Sequence, residues 1–120
     1  MILKDHFFTI KYENISGEKA VFRVKLNTDH FIYQAHFPNN PITPGVCLIQ
    51  IVMELFGYIK SKSFRMKTLK NVKFTAPINP FEYNEIDILL EFMEQENHWH
   101  IKTIIQEKET VFAKISMIMA

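Results

Sequence analysis

His36 is followed by Phe37-Pro38-Asn39-Asn40-Pro41-Ile42-Thr43-Pro44-Gly45-Val46, which lays three prolines and a glycine between an imidazole and a strongly apolar segment. An imidazole is the side chain best suited to taking a proton near neutral pH. Each proline fixes its own φ and pushes its predecessor toward extended geometry, so the loop holds His36 at a set distance from whatever follows Pro44. Gly45 lacks a side chain, and at the start of a helix its N–H has no intrahelical acceptor, so it can stabilise a developing oxyanion. Further on, Gln50 and Glu54 are four residues apart, with Gly57 and Tyr58 continuing the same helical column. An amide and a carboxylate in apolar surroundings need hydrogen-bond partners, a cavity or a subunit boundary, because burying them unpaired costs about 1–3 kcal/mol or more. From the pattern alone a satisfied core pair or an exposed stripe accounts for them as well as a reactive pair does.

The segment that carries these residues reads as one long helix. Thr43 is the expected N-cap and Pro44 the expected first helical residue, and the helix runs to about Lys60. Positions 46–59 are apolar almost all round, so protein must enclose them. Ahead of it, Ala20, Phe22, Val24 and Leu26 alternate with polar neighbours, and a strand over Phe7 to Tyr12 joins them as a hairpin through Ser16-Gly17. After it, the period of two returns at Val72–Ala76, Ile86–Phe92, Trp99–Ile105 and Val111–Met119, with short polar or proline-bearing separators that suit a four-strand antiparallel meander. The expected architecture is α+β, a curved antiparallel sheet around one central helix, in a single domain over residues 1–120.

Composition narrows the function. Fourteen basic against thirteen acidic residues give a net charge of +1, without the global field that nucleic acid demands. The densest apolar stretch is interrupted by Gln50, Glu54 and Gly57, so no membrane span is expected. The single Cys47 cannot form an internal disulfide, and the chain opens without a leader pattern, so a reducing cytoplasm is the expected location.

HFPNNPITPGV followed by an apolar helix resembles the signature of the FabA/FabZ family of (3R)-hydroxyacyl-[acyl carrier protein] dehydratases, and the strand order is similar over nearly the whole chain. The resemblance implies a hot-dog fold and a homodimer or trimer of dimers, with an acyl tunnel along the dimer interface. It also implies that His36 removes the α-proton of a 3-hydroxyacyl thioester, that the Gly45 N–H polarises the thioester carbonyl, and that Phe37, Pro38, Pro44 and Val46 border the substrate. In the family an acid fourteen positions after the histidine, supplied by the partner subunit, handles the leaving hydroxyl, and an amide follows one turn later. Here those positions hold Gln50 and Glu54, so the two side chains are exchanged. An amide cannot lend a proton at neutral pH, which makes Glu54 the candidate relocated acid and Gln50 its orienting partner. The alternatives are an accessory hot-dog protein that binds acyl thioesters without eliminating water, or a hot-dog thioesterase. No metal or organic cofactor is implied, because β-elimination of water needs only a base, an acid and carbonyl polarisation.

Charge is unevenly distributed. Between Glu54 and Glu82 stand Lys60, Lys62, Arg65, Lys67, Lys70 and Lys73 with no acid, whereas eight of the thirteen acids lie from Glu82 to Glu109. The basic stretch, Lys60, Lys62, Arg65 and Lys67 above all, is either a dock for an acidic acyl carrier protein or a solvated loop. His98 and His100 share one strand face but offer only two ligands, which is weak evidence for a metal.

Overall fold

The computed structural model describes residues 2–35 and 39–120. Its core is a six-stranded antiparallel sheet curved around one long helix. In chain order the elements are β1 (Phe8–Ser16), β2 (Lys19–Leu26), the short helix α1 (Phe31–Ala35), α2 (Gly45–Lys60), β3 (Met66–Phe74), β4 (Glu85–Gln95), β5 (His98–Glu107) and β6 (Thr110–Met119). The hairpin of β1 and β2 turns at Gly17, which adopts the left-handed φ of 61° that a residue without Cβ accommodates at least cost. Alternation then decides the inner face. Phe22, Val24, Ile88, Leu90, Ile105 and Ile115 are all buried, and they meet Leu48, Ile51, Val52, Leu55 and Phe56 of α2 within one core cluster.

Two sequence expectations need correction. The last four strands are not a meander, because the sheet order is β1-β2-β4-β5-β6-β3. β4, not β3, pairs with β2, and β3 crosses to the far edge to pair with β6. A period of two identifies a strand but carries no information about its neighbour; here α2 lies between β2 and β3 and carries the chain across the sheet. As an edge strand β3 is exposed along nearly its whole length, with only Val72 half-buried. The second correction concerns the helix start. Pro44, with φ −61° and ψ 141°, is the N-cap, and its carbonyl accepts the first bonds from Cys47 and Leu48. Thr43 gives no cap bond; its buried hydroxyl pairs with the Tyr33 hydroxyl at 3.0 Å.

The sheet also encloses only one side of α2. Val46 is 66% exposed, Tyr58 is exposed, and Ile49, Gln50, Met53, Glu54 and Gly57 are half-buried along the opposite stripe. That stripe holds every polar residue of the helix interior.

Candidate active site

The proline-rich loop brings the chain into α2 with Gly45 as the first helical residue. The N–H groups of Gly45 and Val46 precede the first intrahelical bond and are directed out of the helix start. Side-chain space there is closed by Phe74 at the end of β3: a Cβ on Gly45 would stand 2.5 Å from the tip of that ring. Phe74 is itself 51% exposed, so the ring covers the helix start from the solvent side. With Ile42, Leu48 and Ile78 it borders a cleft of about 350 Å³. Phe74, one of eleven phenylalanines, carries no distinguishing signal in the sequence, because its contact with Gly45 depends on the β3 crossover.

One and a half turns along the helix, the Gln50 Nε2 donates to Glu54 Oε2 at 2.8 Å. The spacing of four brings them together as expected. Glu54 does more than meet its neighbour. Its two oxygens accept the Leu3 N–H at 2.9 and 2.8 Å, and Oε1 also accepts the Lys4 N–H at 2.8 Å. Nothing in the spacing foretold that the chain's first residues lie on this column. A groove of about 580 Å³ runs alongside, bordered by Ile2, Lys4, Gln50, Met53, Glu54 and Tyr58, with Lys62 and Phe64 at its end. Tyr58 donates to Glu13, whose carboxylate holds the phenolic proton above its ordinary range.

Of the other sequence candidates, His36, Phe37 and Pro38 lie outside the described residues. Pro44 is half-buried at the cap and Val46 exposed in the first turn. Lys60 is folded back onto Trp99, 4.1 Å from the ring centroid, and over Phe92. Its charge is thereby partly engaged by aromatic faces. Lys62, Arg65 and Lys67 are exposed, and the Arg65 backbone is pinned by two hydrogen bonds with Ala120. Cys47 is buried, and burial pushes its thiol pKa up, away from the thiolate a nucleophile would need. Among the described residues no three His, Cys, Asp or Glu side chains gather as a metal site. No helix among them is long and apolar enough to cross a membrane.

A family model described as ApeI-like, ApeI dehydratase, matches residues 12–115. The chain belongs to the ApeI-like dehydratase family. It is also similar to proteins named 3-hydroxyacyl-[acyl-carrier-protein] dehydratase FabZ. The one from Ligilactobacillus salivarius is 28% identical over 86 residues, 66% of this chain and 61% of the relative. The one from Gluconobacter oxydans is 24% identical over 108 residues, 82% of this chain and 63% of the relative. The chain thus spans about three fifths of the length of the curated relatives it matches. Among solved structures, a chain of the dehydratase heterocomplex ApeI:P from Xenorhabdus doucetiae superposes with a TM-score of 0.76 at 17% identity, covering 93% of this chain and 96% of that one. An uncharacterised protein from Erwinia carotovora subsp. atroseptica gives 0.66 at 19% identity, with 93% and 92% covered. The fold of this ApeI-like family member is the hot-dog fold.

Proposed function

We propose that the protein eliminates water from 3-hydroxyacyl thioesters carried by an acyl carrier protein, in fatty-acid synthesis or in a specialised polyene pathway of the cytoplasm. The observation that carries this reading is the Gln50–Glu54 pair beside an open groove on the otherwise apolar face of α2. The imidazole of His36 takes the proton from C2, and electron density moves onto the thioester oxygen, which the Gly45 N–H holds as an oxyanion. Collapse of this enolate forms the C2–C3 double bond and breaks the C3–O bond, and the 3-hydroxyl leaves as water with the proton that the His36 imidazolium took from C2. Gln50 and Glu54 face that hydroxyl, and Pro44 and Val46, with Phe37 and Pro38 of the loop, border the acyl chain.

The exposed stripe of α2 and the unpaired edge of β3 favour a second hot-dog subunit closing the site, as a homodimer or a trimer of dimers. Lys62 borders the groove and the exposed Arg65 and Lys67 follow it in the chain, so this stretch, with Lys60, supplies positive charge for an acidic carrier protein. A second reading has a specific observation behind it: Gln50 stands where the FabZ-type acid is expected, and Glu54 is engaged by its own chain. The protein would then bind acyl thioesters as the accessory member of a heterocomplex, the kind of assembly described for ApeI:P.

Mass analysis of a 3-hydroxyacyl carrier-protein thioester after incubation decides between them. Loss of one water supports dehydration, release of free thiol indicates a thioesterase, and an unchanged but tightly bound substrate indicates an accessory subunit. Gln50→Glu should match or exceed wild type if the family chemistry is latent. Dehydration that survives Glu54→Ala but not His36→Ala would remove Glu54 from the site.

A further inference from the structure

Glu54 receives N–H donors from two directions. Leu3 and Lys4 approach from the start of the chain, and the Gln50 amide approaches from one turn earlier on α2. Both oxygens are engaged, Oε1 by Leu3 and Lys4, Oε2 by Leu3 and Gln50. A carboxylate so placed serves as an acceptor. It also fixes the amide it touches, since only the NH₂ side of Gln50 can face it, which turns the Gln50 carbonyl oxygen away from Glu54.

The residues that approach Glu54 are themselves anchored. The Leu3 side chain is buried at 2% exposure, and its carbonyl accepts N–H bonds from His6 and Phe7 at 3.0 and 2.7 Å. Asp5 takes a left-handed φ of 68° to close this turn. Lys4 then reaches over the Tyr58 ring at 5.4 Å, and Ile2 and Lys4 border the same groove as Gln50.

We propose that Glu54 is a positioning residue, tying residues 2–4 to the Gln50 amide and making this N-terminal strap one wall of the acyl-thioester site. The inference rests on the dehydratase reading for its catalytic consequence and on the hydrogen bonds alone for its structural one. A carboxylate tied down by backbone donors orients Gln50 toward the substrate hydroxyl and does not itself deliver the proton.

The test combines turnover with amide hydrogen exchange in the full-length protein, for wild type, Glu54→Gln, a deletion of residues 2–4, and the two changes together. Expected are losses in kcat of about 10-fold to 10²-fold in each single variant, the range a misplaced group produces. The double variant should be no slower than the slower single one, because both changes break one unit. The pH profile of kcat should keep its wild-type shape in Glu54→Gln. Losses that multiply, or disappearance of one limb of that profile, would overturn the proposal. Because deletion removes a core side chain and can unfold the protein, exchange in the point variant stands on its own. The Leu3 and Lys4 amides should be protected in wild type and exchange at least about tenfold faster in Glu54→Gln; equal rates overturn the strap. If wild type produces no enoyl thioester, the dehydratase reading fails while the strap is still decided by exchange. A 3-hydroxyacyl pantetheine thioester should then increase protection at Leu3 and Lys4 in wild type only, and unchanged protection would sink the claim.

Discussion

Glu54 and Arg23 each gather several charged or polar partners, but on faces of the molecule that ask different things of them. Glu54 is one carboxylate among donors of its own chain, on the side of α2 that the sheet leaves open. Arg23 is one guanidinium among three carboxylates, on the side of β2 turned away from the helix, between the buried Phe22 and Val24. Its Nε meets Glu85 at 3.0 Å, one terminal nitrogen meets Asp87 at 2.9 Å, and both terminal nitrogens reach Glu107 at 2.9 and 2.8 Å. These partners lie on β4 and at the end of β5, so one side chain ties three strands together. Three of the acids between Glu82 and Glu109 thus share one cation, which offsets one of their three negative charges. A groove borders the first arrangement, whereas the second is a structural cross-brace. Perturbing charge should therefore change chemistry at one and stability at the other.

The largest expected effect sets the two regions furthest apart. His36→Ala should lower dehydration by about 10²–10⁴-fold, the usual loss for a general base, whereas Arg23→Ala should leave kcat near wild type in steady-state assays. A fall in kcat with Arg23→Ala would mean that the brace holds the site in shape.

Arg23→Ala should instead destabilise the fold by about 2 kcal/mol in chemical denaturation, since it leaves three half-screened carboxylates together without their cation. pH sharpens this point. Arg23 holds the Glu107 carboxyl below its ordinary value of 4.5. A group with a lowered folded pKa contributes stability above its unfolded value and loses it as pH falls through the folded one. Wild type should therefore lose stability on acidification below about pH 4.5, and Arg23→Ala should show a flatter dependence over the same window.

A smaller effect concerns the carrier protein. Lys62→Glu with Arg65→Glu should raise KM for a carrier-protein substrate about tenfold at low salt, less at high salt, and leave a short thioester analogue unaffected. Equal effects on both substrates would remove the docking role from this stretch.

The smallest probes the core behind both regions. Thr103 points inward from β5, 3% exposed, and among the described residues its hydroxyl has no hydrogen-bond partner. Thr103→Val keeps the shape and removes an unpaired polar atom, so the midpoint of unfolding should rise, by about 1 kcal/mol in stability. A loss would show that the hydroxyl bonds to a buried water.

Local pattern carried much of this protein. The alternation in Ala20–Leu26 and Ile86–Phe92, the Pro-Gly helix start and the spacing of Gln50 and Glu54 each express a preference that acts over a few residues. They sufficed for strands, helix, α+β class and the pairing of those two side chains, and the motif around His36 sufficed for the family resemblance. Contacts between distant segments were not legible in this way. The β3 crossover, the Tyr33–Thr43 pair that displaced the N-cap to Pro44, the Phe74 ring on Gly45, the Arg23 brace and the seizure of Glu54 by Leu3 and Lys4 join residues from 10 to 84 positions apart. Periodicity fixes which way a side chain faces. Which distant group it meets is decided only when the whole sheet closes around the helix and every buried donor has to find an acceptor.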